Sequence, residues 1–355
     1  MKKKTVAVIF GGCSPEYDVS IKSAYSIINA VNHDKYDVVL IGINRQGKWY
    51  RYTGDVENIP NDKWHSMKAE LKTAIISPSR GEGLLVFNNS RVAGSVGNAV
   101  AVPIDVVFHV LHGKCGEDGT VQGLCELAGI PLVGSGSAAS ALCMDKDRSH
   151  KLVSLSGIRV PRTVCSESTK SDDELLNIAK GMKLPLFVKP VKTGSSFGIS
   201  LVEKYSELQD AVRVAYTYDD AVIIEEGISG FEIGCAVVGN HELSTGRIDE
   251  IELSQGFFDY EEKYTLKTSK IHMPARIDEK TERRLQDMAM DIFRLLGCRG
   301  FARVDMFLTK EHEIVFNEVN TIPGFTPKSR FPSMMQGVGV DYPQLVGMLI
   351  ELAQA

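Results

Sequence analysis

Short apolar runs separated by longer amphipathic stretches set the pattern of the first third of this chain. Val6–Phe10 is continuously apolar and reads as a buried strand, and the 3.6-residue period over Val19–Val31 predicts a helix. Tyr36–Ile43 and Ile104–Leu111 read as further strands, Thr120–Ala128 as a helix and Ile130–Val133 as a short strand. Strands alternating with helical segments imply an α/β fold with a parallel, doubly wound sheet. Ligands of such sheets bind beyond the carboxyl ends of the strands, where Gly11-Gly12 and His112-Gly113 fall. The stretch 49–101 keeps no steady period and reads as a hairpin and loop elaboration without chemistry.

The pattern changes near Gly134. Ser137–Gly157 is mostly helical, with Gly157 and the later Pro161 as stop signals. Leu186–Lys189, Ile199–Val202 and Val222–Glu226 read as strands around a helix at Ser206–Tyr216. Strands at Phe231–Val238 and Gly246–Glu252 follow, then a long loop (Ser254–Pro274), a helix (Lys280–Leu296), a hairpin and a final helix (Tyr342–Ala353).

A length of 355 residues suits two or three domains, and 43% hydrophobic with 24% charged residues is the balance of a soluble globular protein. The net charge of -5 gives no basic field for nucleic acid, and no apolar run is long enough for a membrane span. Seven dispersed cysteines without CxxC spacing argue against a disulfide framework or a zinc site, and fit reduced thiols in the cytoplasm.

The C-terminal hairpin carries the sharpest chemistry. Asp305 lies in one apolar run, and Glu318 and Asn320 in the next, on the same face of a strand. Three hard oxygen donors brought together suit Mg²⁺, which takes one or two carboxylates plus phosphate oxygens. Leu186–Ser200 reads as strand, glycine-rich loop and strand. Gly194 and Gly198 permit close backbone approach there, and Ser195 and Ser196 add donors. This loop is not a Walker A motif, but a flap able to close over a triphosphate. Lys189 sits inside the first of these strands and calls for an anionic partner, for which a nucleotide phosphate serves. Lys146 is a second phosphate candidate, although alone it reads as a solvated helix lysine. Glu225 and Glu226 end an apolar strand and are placed to read an adenine amine and a ribose hydroxyl. Glu232 offers a similar acceptor.

Taken in order, these strings resemble one family. They run Gly11-Gly-Cys-Ser-Pro-Glu16, His112-Gly-Lys-Cys-Gly-Glu-Asp-Gly119, Met144-Asp-Lys146, Val188-Lys-Pro190 with Gly194-Ser-Ser196, Arg303-Val-Asp305 and Asn317-Glu-Val-Asn-Thr-Ile-Pro-Gly324. The chain resembles the D-alanine:D-alanine ligase family of ATP-grasp enzymes over its whole length, and within it the VanG-type D-alanine:D-serine branch of vancomycin resistance. The resemblance implies three domains: a Rossmann-like unit for the first D-amino acid (1–134), a central ATP-grasp lobe (135–226) and a C-terminal lobe with metal site and lid (227–355). It also implies an acyl phosphate made from D-alanine and ATP and attacked by a second amino acid, in a cytoplasmic enzyme that is commonly a homodimer.

By the same resemblance, Lys146, Lys189 and Ser196 hold ATP phosphates, and Glu225, Glu226 and Glu232 the adenosine. Asp305, Glu318 and Asn320 hold two Mg²⁺ ions, or Mn²⁺. Arg303 and the Gly324 amide meet the developing oxyanion, Glu16 binds the first ammonium, and His112 lies near the first carboxylate. The lid around Phe257–Pro274 supplies Lys263 to the phosphates and Tyr264 to a network with Glu16 and Ser195. Its Glu262-Lys263-Tyr264 string matches dipeptide-forming rather than depsipeptide-forming branches. Ser329-Arg330-Phe331-Pro332 stands where alanine-using members carry Ser-Leu or Ser-Met. Arg330, with Phe258 and Phe325, therefore points to D-serine over D-alanine as the acceptor, because Arg330 can donate to a hydroxyl or orient a carboxylate around it. A housekeeping D-alanine:D-alanine ligase is the alternative.

Overall fold

The computed structural model describes residues 3–88, 98–169, 171–253 and 269–355. Its strands form three sheets. In the first, β1 (Lys4–Gly11) lies between β2 (Tyr36–Ile43) and β7 (Val106–His109), all parallel. Alternation sorts β1 between two cores. Val6, Val8 and Phe10 pack with helix α1 (Tyr17–Ala30), while Ala7 and Ile9 pack with helix α2 (Thr120–Ala128). The stretch expected to be irregular extends this sheet antiparallel through β3 (Trp49–Tyr52), β4 (Leu71–Ile76), β5 (Leu84–Phe87) and β6 (Ala99–Val102). These strands are four to six residues long, too short to imprint a period on the sequence. The expected strand at Ile130–Val133 contributes a single bridge, Val107 to Leu132.

The second sheet is antiparallel, in the order β10 (Ser200–Val202), β9 (Leu186–Pro190), β11 (Val222–Glu226), β8 (Thr163–Cys165). Helices α5 (Asp172–Lys180) and α6 (Leu208–Tyr216) cover its Leu186, Val188, Val222 and Ile224 face. The opposite face presents Phe187, Lys189 and Glu225, with Phe187 directly across from Glu225.

The third sheet runs β15 (Ser269–His272), β14 (Asp249–Leu253), β12 (Gly230–Gly239), β16 (Gly300–Thr309), β17 (Ile314–Asn320), with β13 (Leu243–Thr245) paired to β12. One face, with Cys235, Val304, Met306 and Phe316, is covered by helix α7 (Glu279–Leu295) together with α3 (Ser137–Met144) and α4 (Lys146–Leu155). The single helix expected over 137–157 is thus two, broken at Asp145, whose extended backbone and side chain cap α4. Both pack on the third sheet. Ala236, Val238 and Phe301, on the other face, join the core of the first sheet. There they meet helix α8 (Arg330–Gln336), which the sequence reading omitted, and helix α9 (Tyr342–Leu352). All seven cysteines are unbridged.

Candidate active site

A β-bulge decides the chemistry of the third sheet. Asp305 pairs with Glu318 and Arg303 with Asn320, but Met306 pairs with Phe316, so one extra residue lies in β17. Without it, Glu318 would share the buried face of Phe316 two residues earlier. The bulge turns Glu318 over to the face of Asp305 and Arg303. Register therefore brings Asp305, Glu318 and Asn320 together, as expected.

Asp305 is 1% exposed. Its carboxylate accepts from Arg303 Nε at 2.8 Å, Arg303 Nη2 at 2.7 Å and Asn320 Nδ2 at 2.8 Å. Burial works against the Arg303 charge, but Asp305 outweighs it and holds its pKa above the usual arginine value. Among the described residues no group of three or more His, Cys, Asp and Glu side chains is arranged to hold a metal ion. Two carboxylates with one amide oxygen fit Mg²⁺ completed by phosphate oxygens rather than an all-protein cage.

Beside these acids lies a cavity of about 520 Å³. Lys146, Lys189, Ser195, Ser196, Glu225, Glu226, Glu232 and Glu318 all line it, together with apolar Phe187, Ile251 and Phe307. Both expected lysines are engaged by the protein. Lys189 Nζ lies 2.5 Å from Glu225 Oε2. Burial disfavours its charge, but Glu225 more than compensates and its pKa lies above the ordinary lysine value. Burial likewise pushes Glu225 up, while Lys189 and then His150 bring it below the usual carboxylate range. Lys146 donates to the Thr193 carbonyl at 2.8 Å and lies 3.9 Å from Glu318 Oε2. Asp145 caps α4 and so presents Lys146 at the first turn, toward the flap. Glu226 differs from Glu225 in accepting from the Arg162 amide at the strand end.

Across the flap, Ser195 donates to Glu16, the residue that caps α1. Ser195 and Ser196 have φ of +51° and +60°, a left-handed conformation that costs a non-glycine residue about 1–2 kcal/mol. Glu16 lies against the 112–117 turn, because Gly113 has no side chain. A Cβ there would stand 3.1 Å from Glu16 Oε2. His112 Nδ1 lies 2.9 Å from the Ile322 carbonyl and so carries the proton. Burial holds its pKa below the usual imidazole value, leaving Nε2 a buried acceptor with no partner among the described residues.

Arg330 opens α8, buried under the acid face. Its Nε and Nη2 donate to Asp249 at 2.7 and 2.8 Å, and it lies 3.6 Å from Asp305 and 3.7 Å from Glu232. Ser329 accepts from the Thr326 amide, bracing the turn after Gly324. Phe325, expected near the acceptor, is fully buried among Phe108, Phe301, Phe331 and Tyr342 and serves the core. Phe258, Lys263 and Tyr264 lie outside the described residues.

Three supporting groups escaped the sequence reading. Asp249 receives Arg330 from 81 residues away, a pairing no local pattern encodes. His150 bonds the Asn317 carbonyl at 2.7 Å and faces Glu225 at 3.7 Å; its spacing four residues after Lys146, on one helix face, was the available signal. Glu117 lies in the quoted His-Gly string, and its two oxygens accept from the Gly113 and Ile322 amides. Burial, then Glu16, raises its pKa to about 8.

Two family models match the chain: D-ala D-ala ligase N-terminus over residues 5–135 and D-ala D-ala ligase C-terminus over residues 153–351. The D-alanine–D-alanine ligase of Caldicellulosiruptor bescii is 42% identical, covering 99% of this chain and 96% of that protein. Vancomycin B-type resistance protein VanB of Enterococcus faecalis is 43% identical, covering 99% of each. Among solved structures, the VanG D-Ala:D-Ser ligase of Enterococcus faecalis superposes with a TM-score of 0.91 at 52% identity, covering 99% of this chain and 100% of that one. Matched over residues 5–135 and 153–351 by the family's two models and carrying its strings on one connected site, the chain belongs to the D-alanine–D-alanine ligase family of ATP-dependent, metal-using ligases.

Proposed function

We propose that this chain joins D-alanine to D-serine, using ATP and two Mg²⁺ ions, to make modified peptidoglycan precursors for vancomycin resistance. The observation that carries the acceptor is the likeness to VanG, 52% against 42% for the D-alanine–D-alanine ligase of Caldicellulosiruptor bescii. That second protein keeps D-alanine as the alternative acceptor. Three functional units, 1–134, 135–226 and 227–355, in a cytoplasmic homodimer complete the reading.

Lys189 and Glu225 neutralise one another in the cavity, and an arriving nucleotide divides them, phosphate to Lys189 and adenine to Glu225. Lys146, tethered to the flap carbonyl of Thr193, follows the phosphates as the flap settles. Glu226 and Glu232 meet the remaining adenosine groups, and Ser196 donates to phosphate. Asp305, Glu318 and Asn320 would hold the metal, which when bound neutralises charge on the transferring phosphoryl group. Asp305 also fixes Arg303, which faces the developing oxyanion together with the Gly324 amide. Glu16 receives the first ammonium and is oriented by Ser195. Lys263 and Tyr264 close the site against water.

Arg330 acts on the acceptor by orienting carboxylates. With two donors on Asp249, it sets the field in which a serine hydroxyl is read, a task that Phe258 and Ser329 share. Incubation with ATP, Mg²⁺, D-alanine and equal D-serine tests the reading. It predicts phosphate release and a predominance of D-Ala-D-Ser. Faster formation of D-Ala-D-Ala would assign the chain to the alternative. Arg330→Met is expected to move the product ratio toward D-Ala-D-Ala, and an unchanged ratio would remove Arg330 from acceptor choice.

A further inference from the structure

The peptide of Ile322 is held at both ends by one turn of the first unit. Its N–H donates to Glu117 Oε1 at 3.3 Å, and its carbonyl accepts from His112 Nδ1 at 2.9 Å. Both side chains are buried, 9% and 4% exposed. The other oxygen of Glu117 accepts from the Gly113 amide at 2.8 Å, so the clamp is anchored within its own turn. Ile322 stands midway between Asn320 of the acid cluster and Gly324, and its side chain is 2% exposed in the core shared by the first sheet. A hydrophobic anchor and two directional hydrogen bonds thus converge on one residue, between two groups given roles in the reaction. The same turn packs Gly113 against Glu16.

We propose that Glu117 and the Nδ1 side of His112 are positioning residues. By clamping the Ile322 peptide, they fix the Asn320–Gly324 segment against the first amino-acid site. This rests on the ligase reading above, and it deepens that reading by giving the first unit a hand in placing the oxyanion amide and a metal ligand. Neither group need touch substrate through these atoms. Displacing the segment by about 1 Å would cost on the order of 100-fold in rate with little effect on nucleotide binding, since misplacement acts on the transition state.

Three variants test the clamp: Glu117→Ala, Glu117→Gln and His112→Asn. Glutamine keeps one acceptor oxygen and loses the other. Asparagine places its amide N–H near the position of Nδ1 while deleting Nε2. In folded Glu117→Ala, kcat for phosphate release with ATP, Mg²⁺ and D-alanine should fall about 100-fold, with KM for ATP within about twofold. Glu117→Gln should fall between that variant and the parent. His112→Asn keeps a donor for the Ile322 carbonyl while losing Nε2, so it should raise KM for D-alanine and leave the exchange of the 319–325 segment at the parent's rate. Hydrogen exchange of backbone amides across 319–325 should accelerate in both Glu117 variants and not in His112→Asn. Unchanged kcat and unchanged exchange in the Glu117 variants would overturn the clamp. If Glu117→Ala fails to fold, Glu117→Gln decides alone by the same two readouts. A parent protein that releases no phosphate would sink the ligase reading instead, and the exchange measurement would still judge the clamp.

Discussion

Lys189→Met is the perturbation whose consequences follow most directly from the geometry. The Lys189–Glu225 pair is 2.5 Å apart, with side chains 12% and 3% exposed. At an effective dielectric of about 20, the gross attraction at that separation is about 7 kcal/mol. Desolvation offsets part of it, and removing one partner of such a pair typically destabilises by about 3–5 kcal/mol, because the remaining charge is buried unpaired. The pH dependence has a definite sign. In the parent, the Glu225 pKa is depressed, so its contribution is present above the unfolded carboxylate pKa and is lost as pH falls through the folded value. In Lys189→Met, burial, already the largest single influence on Glu225, loses its main counterweight, so the Glu225 pKa should rise and ionisation should oppose folding. The stability gap between parent and variant should therefore widen from about pH 5 to pH 8. Urea denaturation at several pH values measures it. The double variant Lys189→Met/Glu225→Leu should recover most of the lost stability but no ATP turnover. A Lys189→Met protein as stable as its parent, or a gap independent of pH, would refute the reasoning.

Three further outcomes are expected. Gly234→Ala would place a Cβ 2.4 Å from Arg330 Nη2 and 2.6 Å from Asp249 Oδ1, so it should destabilise by about 1–3 kcal/mol, read as a lower thermal midpoint. Asp145→Ala removes the cap of α4 and should cost about 1 kcal/mol, with a raised KM for ATP because Lys146 opens that helix. Ser195→Ala deletes the bond to Glu16 and should raise KM for D-alanine more than KM for ATP in steady-state kinetics.

What the sequence revealed and what it hid divide along physical lines. Alternation along a strand put Glu318 and Asn320 on one face, and pairing placed them beside Asp305 and Arg303. The bulge that makes this register work falls at Asn317, a residue type poorly suited to strand interiors, but composition alone does not specify a bulge there. Lys189 was legible because a lysine inside an apolar strand demands a partner. That its partner is Glu225, across the sheet, required the register. The pair of Arg330 with Asp249 depends on how α8 packs on the third sheet, and that of Glu117 with Ile322 on how the first and third sheets meet. That Phe325 is a core residue was hidden because an aromatic beside a site and an aromatic in a core share one sequence signature. Helices α3 and α4 precede the second sheet in sequence yet pack on the third, a contact that adjacency along the chain does not encode.

Steady-state turnover of Glu318→Gln, beside its parent and with fold verified by the urea midpoint, puts the two-lobed metal-nucleotide site to its most direct test. The substitution keeps an oxygen and removes one charge from the acid cluster. Phosphate release in the presence of ATP, Mg²⁺ and D-amino acids is predicted to drop by about 100-fold or more. Turnover within a few-fold of the parent would contradict the placement of the reaction on this face of the third sheet.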